Sequence, residues 1–298
     1  MNRKTTFTAA GLAAAIMLTF PAAGALADSA EGDEIVTLGE DLTTEQRDQL
    51  LNEMDAGSEV ETITVSNEEE HEYLGDYMSA ADIGTRALSS AKITTAGSGD
   101  GIDVETTNIT KISEAMYANA MITAGVEDAE VYVTAPMDVS GTGALTGILK
   151  AYEVQNDVTI PEEQKQVANE EVVKTAELGE SIGTEEATEL ITRVKQEISE
   201  QNIESSEDIR VLIQNIAVDM NIELTQEQTD GLVSLFDRMK DLNVDWNQVQ
   251  DEISKVQDNI GGFVNSEETQ SFFAGFLEFI NGIIDSLFGG SQESESNS

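Results

Sequence analysis

The sequence predicts an α+β protein in which a small mixed α/β domain, two β-α-β units plus a hairpin, is followed by a C-terminal helical bundle. Three observations carry that prediction. Runs that alternate apolar and polar residues, the period of a strand, fall before residue 154. After residue 160 apolar residues recur at spacings of three and four, as on a helix with one buried stripe. The helix-start signature Thr-x-x-Gln heads a segment in each half, at Thr43–Gln46 and Thr225–Gln228. There the threonine hydroxyl and the glutamine side-chain carbonyl each accept from the other residue's backbone N–H.

Taken in order, Arg3 and Lys4 precede an apolar run from Phe7 to Phe20, which Pro21 breaks. Ala25-Leu26-Ala27 then offers the small residues of a cleavage site before Asp28. Residues 1–27 read as a secretory signal peptide, since the run is too short for a spanning helix. The mature chain is expected to begin at Asp28.

Residues 28–153 make the predicted α/β domain. Glu34–Leu38 is its first strand, Thr43 caps a helix carrying Leu50, Leu51 and Met54, and Val60–Val65 returns as a second strand. Asn67 is read as the cap of an acidic helix, with Glu70 at its third position. Two strand-like runs, Arg86–Thr95 and Ile102–Ile109, flank Gly97-Ser98-Gly99-Asp100-Gly101, which predicts a hairpin. A helix with Ile112, Met116, Ala120 and Thr123 on one face stops at Gly125, and Glu130–Ala135 alternates as a strand closed by Pro136. Ser140-Gly141-Thr142-Gly143 then turns the chain into a helix, with Ser140 the expected cap.

Residues 154–160 are read as a linker and 161–290 as the bundle, opened by Pro161 in a first helical turn. Thr184, Ser205, Thr225 and Asp245 are the expected caps of its next four helices. The last helix, from Ser271, is broadly apolar through Phe272, Phe273, Phe276, Phe279, Ile280, Ile283, Ile284 and Leu287. It is too often interrupted for a span and lacks the basic residues of a surface-lying membrane helix, so it either seals the bundle or contacts a partner or membrane. Residues 291–298 are an acidic tail expected to be disordered. Leu42–Leu50 and Leu224–Leu232 match at six of nine positions, an echo that two independent capping boxes account for without a duplication.

Composition narrows the function. The 298 residues hold 58 acidic and 15 basic side chains, a net charge of −43, and loss of Arg3 and Lys4 with the signal peptide takes it to −45. Such a field repels nucleic acid and anionic lipid, and attracts basic proteins and divalent cations. The absence of cysteine excludes thiolate nucleophiles, thiolate metal sites and disulfides. His71 is the one histidine, so multi-histidine metal sites and histidine-based triads are excluded; Glu68-x-x-His71 has the spacing of a carboxylate metal site but lacks a second matching helix. No catalytic, metal or cofactor-binding residue is assigned and no cofactor is expected. The turn Ser140, Gly141, Thr142 and Gly143 can hold a small anion on its backbone N–H groups, although it lacks the lysine of a nucleotide-phosphate loop.

Val36–Gly39, Asn67–Gly75, Ile83–Ser90, Met116–Pro136, Ser140–Glu153 and Val244–Val249 resemble the corresponding stretches of the YpuA-like secreted proteins of Bacillus and relatives. That family is built on a domain of unknown function. The resemblance implies a Gram-positive extracytoplasmic protein and carries over no site residues. The expected role is a secreted, non-enzymatic cell-envelope or extracellular interaction protein whose partner is an unidentified protein or an envelope component, with peripheral membrane contact available through the terminal helix. Two alternatives stay open: a hydrolase acting on cell-wall polymer through two carboxylates, and a divalent-cation-binding surface protein.

Overall fold

The computed structural model describes residues 30–200, 203, 205–242 and 244–259. The expected signal peptide, the apolar stretch bearing Phe272, Phe273, Phe276, Phe279, Ile280, Ile283, Ile284 and Leu287, and the acidic tail lie outside them. Among the described residues no helix is long and apolar enough to cross a membrane.

The first half is a five-stranded sheet. Strand β1 (Glu34–Gly39), helix α1 (Thr44–Glu53) and strand β2 (Glu61–Val65) form a β-α-β unit with β1 and β2 parallel. Both halves of the Thr43/Gln46 capping box are made. Helix α2 (Asn67–Leu74) and the single turn α3 (Ala80–Ile83) lead into β3 (Ser90–Thr95). Strand β4 (Ile102–Ile109), helix α4 (Glu114–Thr123) and strand β5 (Ala129–Val139) make the second unit, again parallel.

The order across the sheet is β2-β1-β3-β5-β4, and this corrects the expected hairpin: β3 and β4 are not paired. Strand β5 lies between them, antiparallel to β3 and parallel to β4. The glycine-rich link instead bends around Asp128, whose carboxylate accepts from the Gly99 and Gly101 N–H groups. These two glycines thus serve a strand-to-strand jump, for which local turn chemistry is the same as for a hairpin.

Other local expectations shift by small amounts for identifiable reasons. Helix α2 is capped by Ser66, not Asn67, because the serine hydroxyl and Glu69 complete a capping box one residue earlier. Strand β5 runs on through Pro136, which is accommodated where the β4–β5 register slips between Thr107/Thr134 and Ile109/Val139. Asn108, with φ of 60°, sits at that slip and donates from its amide to Ala135 O (2.8 Å).

The two faces of the sheet separate cleanly. Ile35, Ile93, Val131 and Val104 are cross-strand neighbours on the inner face, covered by α4 and by α5 (Ala144–Asn156). Helix α4 is buried on every side, from Met116 to Thr123, and its buried polar members, Asn119 and Thr123, are hydrogen-bonded there. Helix α5 approaches the sheet at Gly147, where an added methyl would fall 2.8 Å from Thr37 Oγ1. On the outer face, Val36 and Leu38 pack against Leu50 and Met54 of α1.

The second half comprises α6 (Glu162–Ile182), α7 (Thr184–Glu200), α8 (Ser206–Asp219), α9 (Gln226–Asp241) and α10 (Trp246–Asn259). Pro161 stands just before α6, and Ser205, Thr225 and Asp245 accept from backbone N–H groups at the starts expected of them. The core of α6 to α9 is built from Leu190, Ile191, Val194, Ile213, Leu235 and Phe236 among others. Helix α10 departs from that bundle: Val249, Ile253 and Val256 join the sheet-side core beside α4, together with Ala168 and Val172 of α6. The apolar core therefore runs unbroken across the short connection between α5 and α6.

Candidate functional site

The turn Ser140–Gly143 enters α5 as expected, but it does not stand open. Gly143 is the residue before the helix, no side chain caps it, and Ser140 is engaged with Thr142 (Oγ to Oγ1, 3.3 Å) instead of with the helix N-terminus. Ser140 is thus not the cap. The space beside Gly143 is taken by Glu70 of α2: a methyl on Gly143 would meet the Glu70 Cγ at 2.9 Å and its carboxyl closer still. Glu70 is 5 % exposed and receives Asn67 Nδ2 at 3.0 Å. Burial raises its pKa from the ordinary 4.5 to about 7, with nearby Asp41 adding to the rise and Asn67 and His71 opposing it. The Glu70 side chain therefore lies against the turn, and its burial there favours the neutral acid.

His71, one residue on, is held by Gly84 O (2.9 Å), tying α2 to the end of α3. Among the described residues no group of three or more acidic or histidine side chains is placed to hold a metal ion.

A second feature is a cleft of about 510 Å³ on the outer face of the sheet. Its floor is two cross-strand rows: Lys92, Tyr132 and Glu105, and beside them Glu34, Thr94, Glu130 and Asp103. The end of α1 forms one wall through Glu53 and Met54. The end of α1 reaches across this face to β5, while Asp103, Glu105 and Glu130 stay exposed toward β4. Five carboxylates line the cleft against one lysine. Lys92 is paired with Glu34 (3.1 Å), and Glu53 accepts from Tyr132 Oη (2.9 Å) and Thr134 Oγ1 (2.7 Å). Asp103, Glu105 and Glu130 are exposed, and no salt bridge reaches them among the described residues. Asp103 and Glu130 are direct register partners on adjacent strands, which sets two like charges side by side at a cost.

The third constellation is buried. Lys195 of α7 is fully enclosed and donates to Glu171 of α6 (2.9 and 3.3 Å) and to the backbone carbonyl of Asn119 in α4 (2.7 Å). Thr123 donates to the same Glu171 (2.5 Å), and Asn119 Nδ2 to Thr192 Oγ1 (2.8 Å). Burial pushes the Lys195 ammonium below its ordinary range while Glu171 opposes the shift. Buried throughout, this network joins three helices. Neither it nor the cleft is marked in the sequence. Lys195 and Glu171 look like surface charges of acidic helices, and the cleft's residues are the polar positions of four strands that only the sheet order brings together.

Comparison with known proteins places the chain. Residues 38–256 match the model of a family described as "Protein of unknown function (DUF1002)". The chain is 48 % identical over 277 residues, covering 93 % of this chain and 96 % of the relative, to the "Uncharacterized protein YpuA" of Bacillus subtilis (strain 168). No solved structure matches it. The match spans the sheet, α4, α5 and the helices that close on them, and so the chain belongs to the DUF1002 family of proteins of unknown function.

Proposed function

We propose that this is a secreted, non-enzymatic interaction protein of the cell envelope that meets a cationic partner through the outer-face cleft. The observation that carries the reading is the pair of cross-strand rows in which Asp103, Glu105 and Glu130 stand exposed without a basic counterpart. Carboxylates held at unfavourable spacing lose repulsion when a cation docks, so the arrangement favours binding over self-stability. A net charge of −43 extends the same field and steers basic partners toward the surface. The signal-peptide pattern of residues 1–27 supplies the address. The apolar stretch 271–290 supplies a further envelope contact.

A carboxylate-dependent hydrolase fits less well. Such enzymes set two carboxyl groups on either side of the bond to be cut, whereas Asp103 and Glu130 are neighbours at one level of a sheet floor and project from the same face.

Calorimetric titration with an octalysine peptide tests the cleft. Binding is expected at low salt, to weaken steeply as sodium chloride is raised, and to fall at least about tenfold in Asp103→Asn/Glu105→Gln/Glu130→Gln, the size of losing one to two kcal/mol. Unchanged binding by that variant would remove the cleft from the interaction. N-terminal sequencing of protein recovered from the culture medium of the native host is expected to begin at Asp28; protein retaining residues 1–27 would overturn the secretory reading.

A further inference from the structure

A smaller pocket lies on the other side of the sheet, where α2, α5 and α6 converge. It encloses about 160 Å³ and is lined by Glu69, Tyr73, Thr146, Leu149, Lys150, Glu153, Lys165 and Asn169, room for roughly five waters. Two features set it apart from an ordinary helix junction. Thr146 and Asn169 are 5 % and 1 % exposed, yet Thr146 Oγ1 and Asn169 Oδ1 have no hydrogen-bond partner. An orphaned buried polar atom costs about 1–3 kcal/mol in general, and folds rarely keep two at one place without use. Among the described buried helical threonines Thr146 alone has a hydroxyl without a partner: Thr175, Thr188, Thr192 and Thr229 each donate to the carbonyl four residues earlier, and Thr123 donates to Glu171.

The second feature is the balance of charge. In a chain this acidic, the pocket holds two lysines and two glutamates. Lys150 is bonded to Glu69 (2.5 Å) and Thr64 O (3.0 Å), while Lys165 lies 3.5 Å from Glu153 and under the ring of Tyr73, with Glu162 at the rim 3.2 Å from it.

From these residues we infer that the pocket is a binding site for a small zwitterion of α-amino-acid size. The orphan atoms specify complementary groups. Asn169 Nδ2 is already committed to Lys165 O (2.9 Å), so Oδ1 is an acceptor awaiting a donor, which an ammonium provides. The Thr146 hydroxyl can donate to a carboxylate. A ligand of one sign would unbalance the paired lysines and glutamates, whereas a zwitterion offers each sign a partner and leaves the charge of the site unchanged. Leu149, 1 % exposed, gives an apolar floor for a short side chain. The volume excludes large ligands.

The test uses the purified protein with L-alanine as probe, and acetate and methylammonium as its separate halves, in calorimetry and thermal melts. L-alanine is expected to give saturable heat and a rise in melting temperature of about 2 °C or more at saturation, with neither half reproducing it. Asn169→Leu and Thr146→Val are each expected to abolish the response; Thr146→Val, close in shape, keeps the test valid if the larger change impairs folding. The inference is overturned by the absence of saturable binding, by an equal response to acetate or methylammonium alone, or by full binding in Thr146→Val. A crystal grown with L-alanine that shows ordered water only in the pocket would overturn it equally.

Discussion

The carboxylate of Glu70 lies in the space that a side chain at position 143 would need, against Gly143 at the entrance to α5. Glycine there is not a matter of backbone freedom, since its φ of −75° suits any residue. It is a matter of room. A buried acid at a helix N-terminus gains from the helix dipole and loses from desolvation, and here desolvation wins, which leaves the group titrating near neutrality.

The first prediction concerns pH. Because the folded-state pKa of Glu70 is raised, the protein binds this proton more tightly folded than unfolded. The stabilising contribution is therefore fully present below about pH 4.5 and is lost as the pH rises through about 7. The shift corresponds to about 3 kcal/mol at most. Glu70→Gln, which imitates the protonated acid, is expected to be more stable than the parent at pH 8 and to match it near pH 5. Urea melts at the two pH values check this; equal gains at both would assign the effect to something other than ionisation.

Gly143→Ala is expected to destabilise by about 1–3 kcal/mol, the usual cost of overpacking, because the Glu70 side chain must leave its seat. In a Glu70→Ala background the same substitution has nothing to displace and is expected to cost little. The double-mutant cycle reads the coupling directly.

Lys195 and Glu171 provide a third test. Lys195→Met strands a buried carboxylate and is expected to cost about 3–5 kcal/mol, whereas Lys195→Met/Glu171→Leu recovers most of that loss, as replacement of whole buried ion pairs does elsewhere. Chemical denaturation of the single and double variants decides it. A double variant as unstable as the single would show that the remaining members, Asn119 and Thr123, depend on the pair for their own satisfaction.

The outer-face cleft predicts a salt effect. Asp103→Asn/Glu105→Gln/Glu130→Gln relieves side-by-side repulsion and is expected to stabilise by up to about 1 kcal/mol at low ionic strength, with the gain shrinking in 0.5 M sodium chloride as screening replaces it. Melting temperatures at two salt concentrations are the measurement.

Much of the local structure was legible because it rests on short-range chemistry. Thr43 with Gln46 and Thr225 with Gln228 start their helices by bonds within one turn, and the alternation around Val131 and Val133 states which positions face a core. The division into a sheet-bearing half and a helical half, and the two parallel β-α-β units, followed from the same periods. What the chain's local pattern does not contain is which strand lies beside which. A glycine-rich link is as compatible with a hairpin as with a jump across a strand, and only the burial of Ile93, Val131 and Val104 in one row, with β5 between its neighbours, decides between them. That choice creates the acidic cleft. In the same way one acid among three in Glu68-Glu69-Glu70 is sent inward to Gly143, and one lysine of α7 is sealed against Glu171. The turn Ser140–Gly143 was visible from the sequence as a place for an anion. Tertiary packing alone, by bringing α2 alongside, set the Glu70 side chain against Gly143.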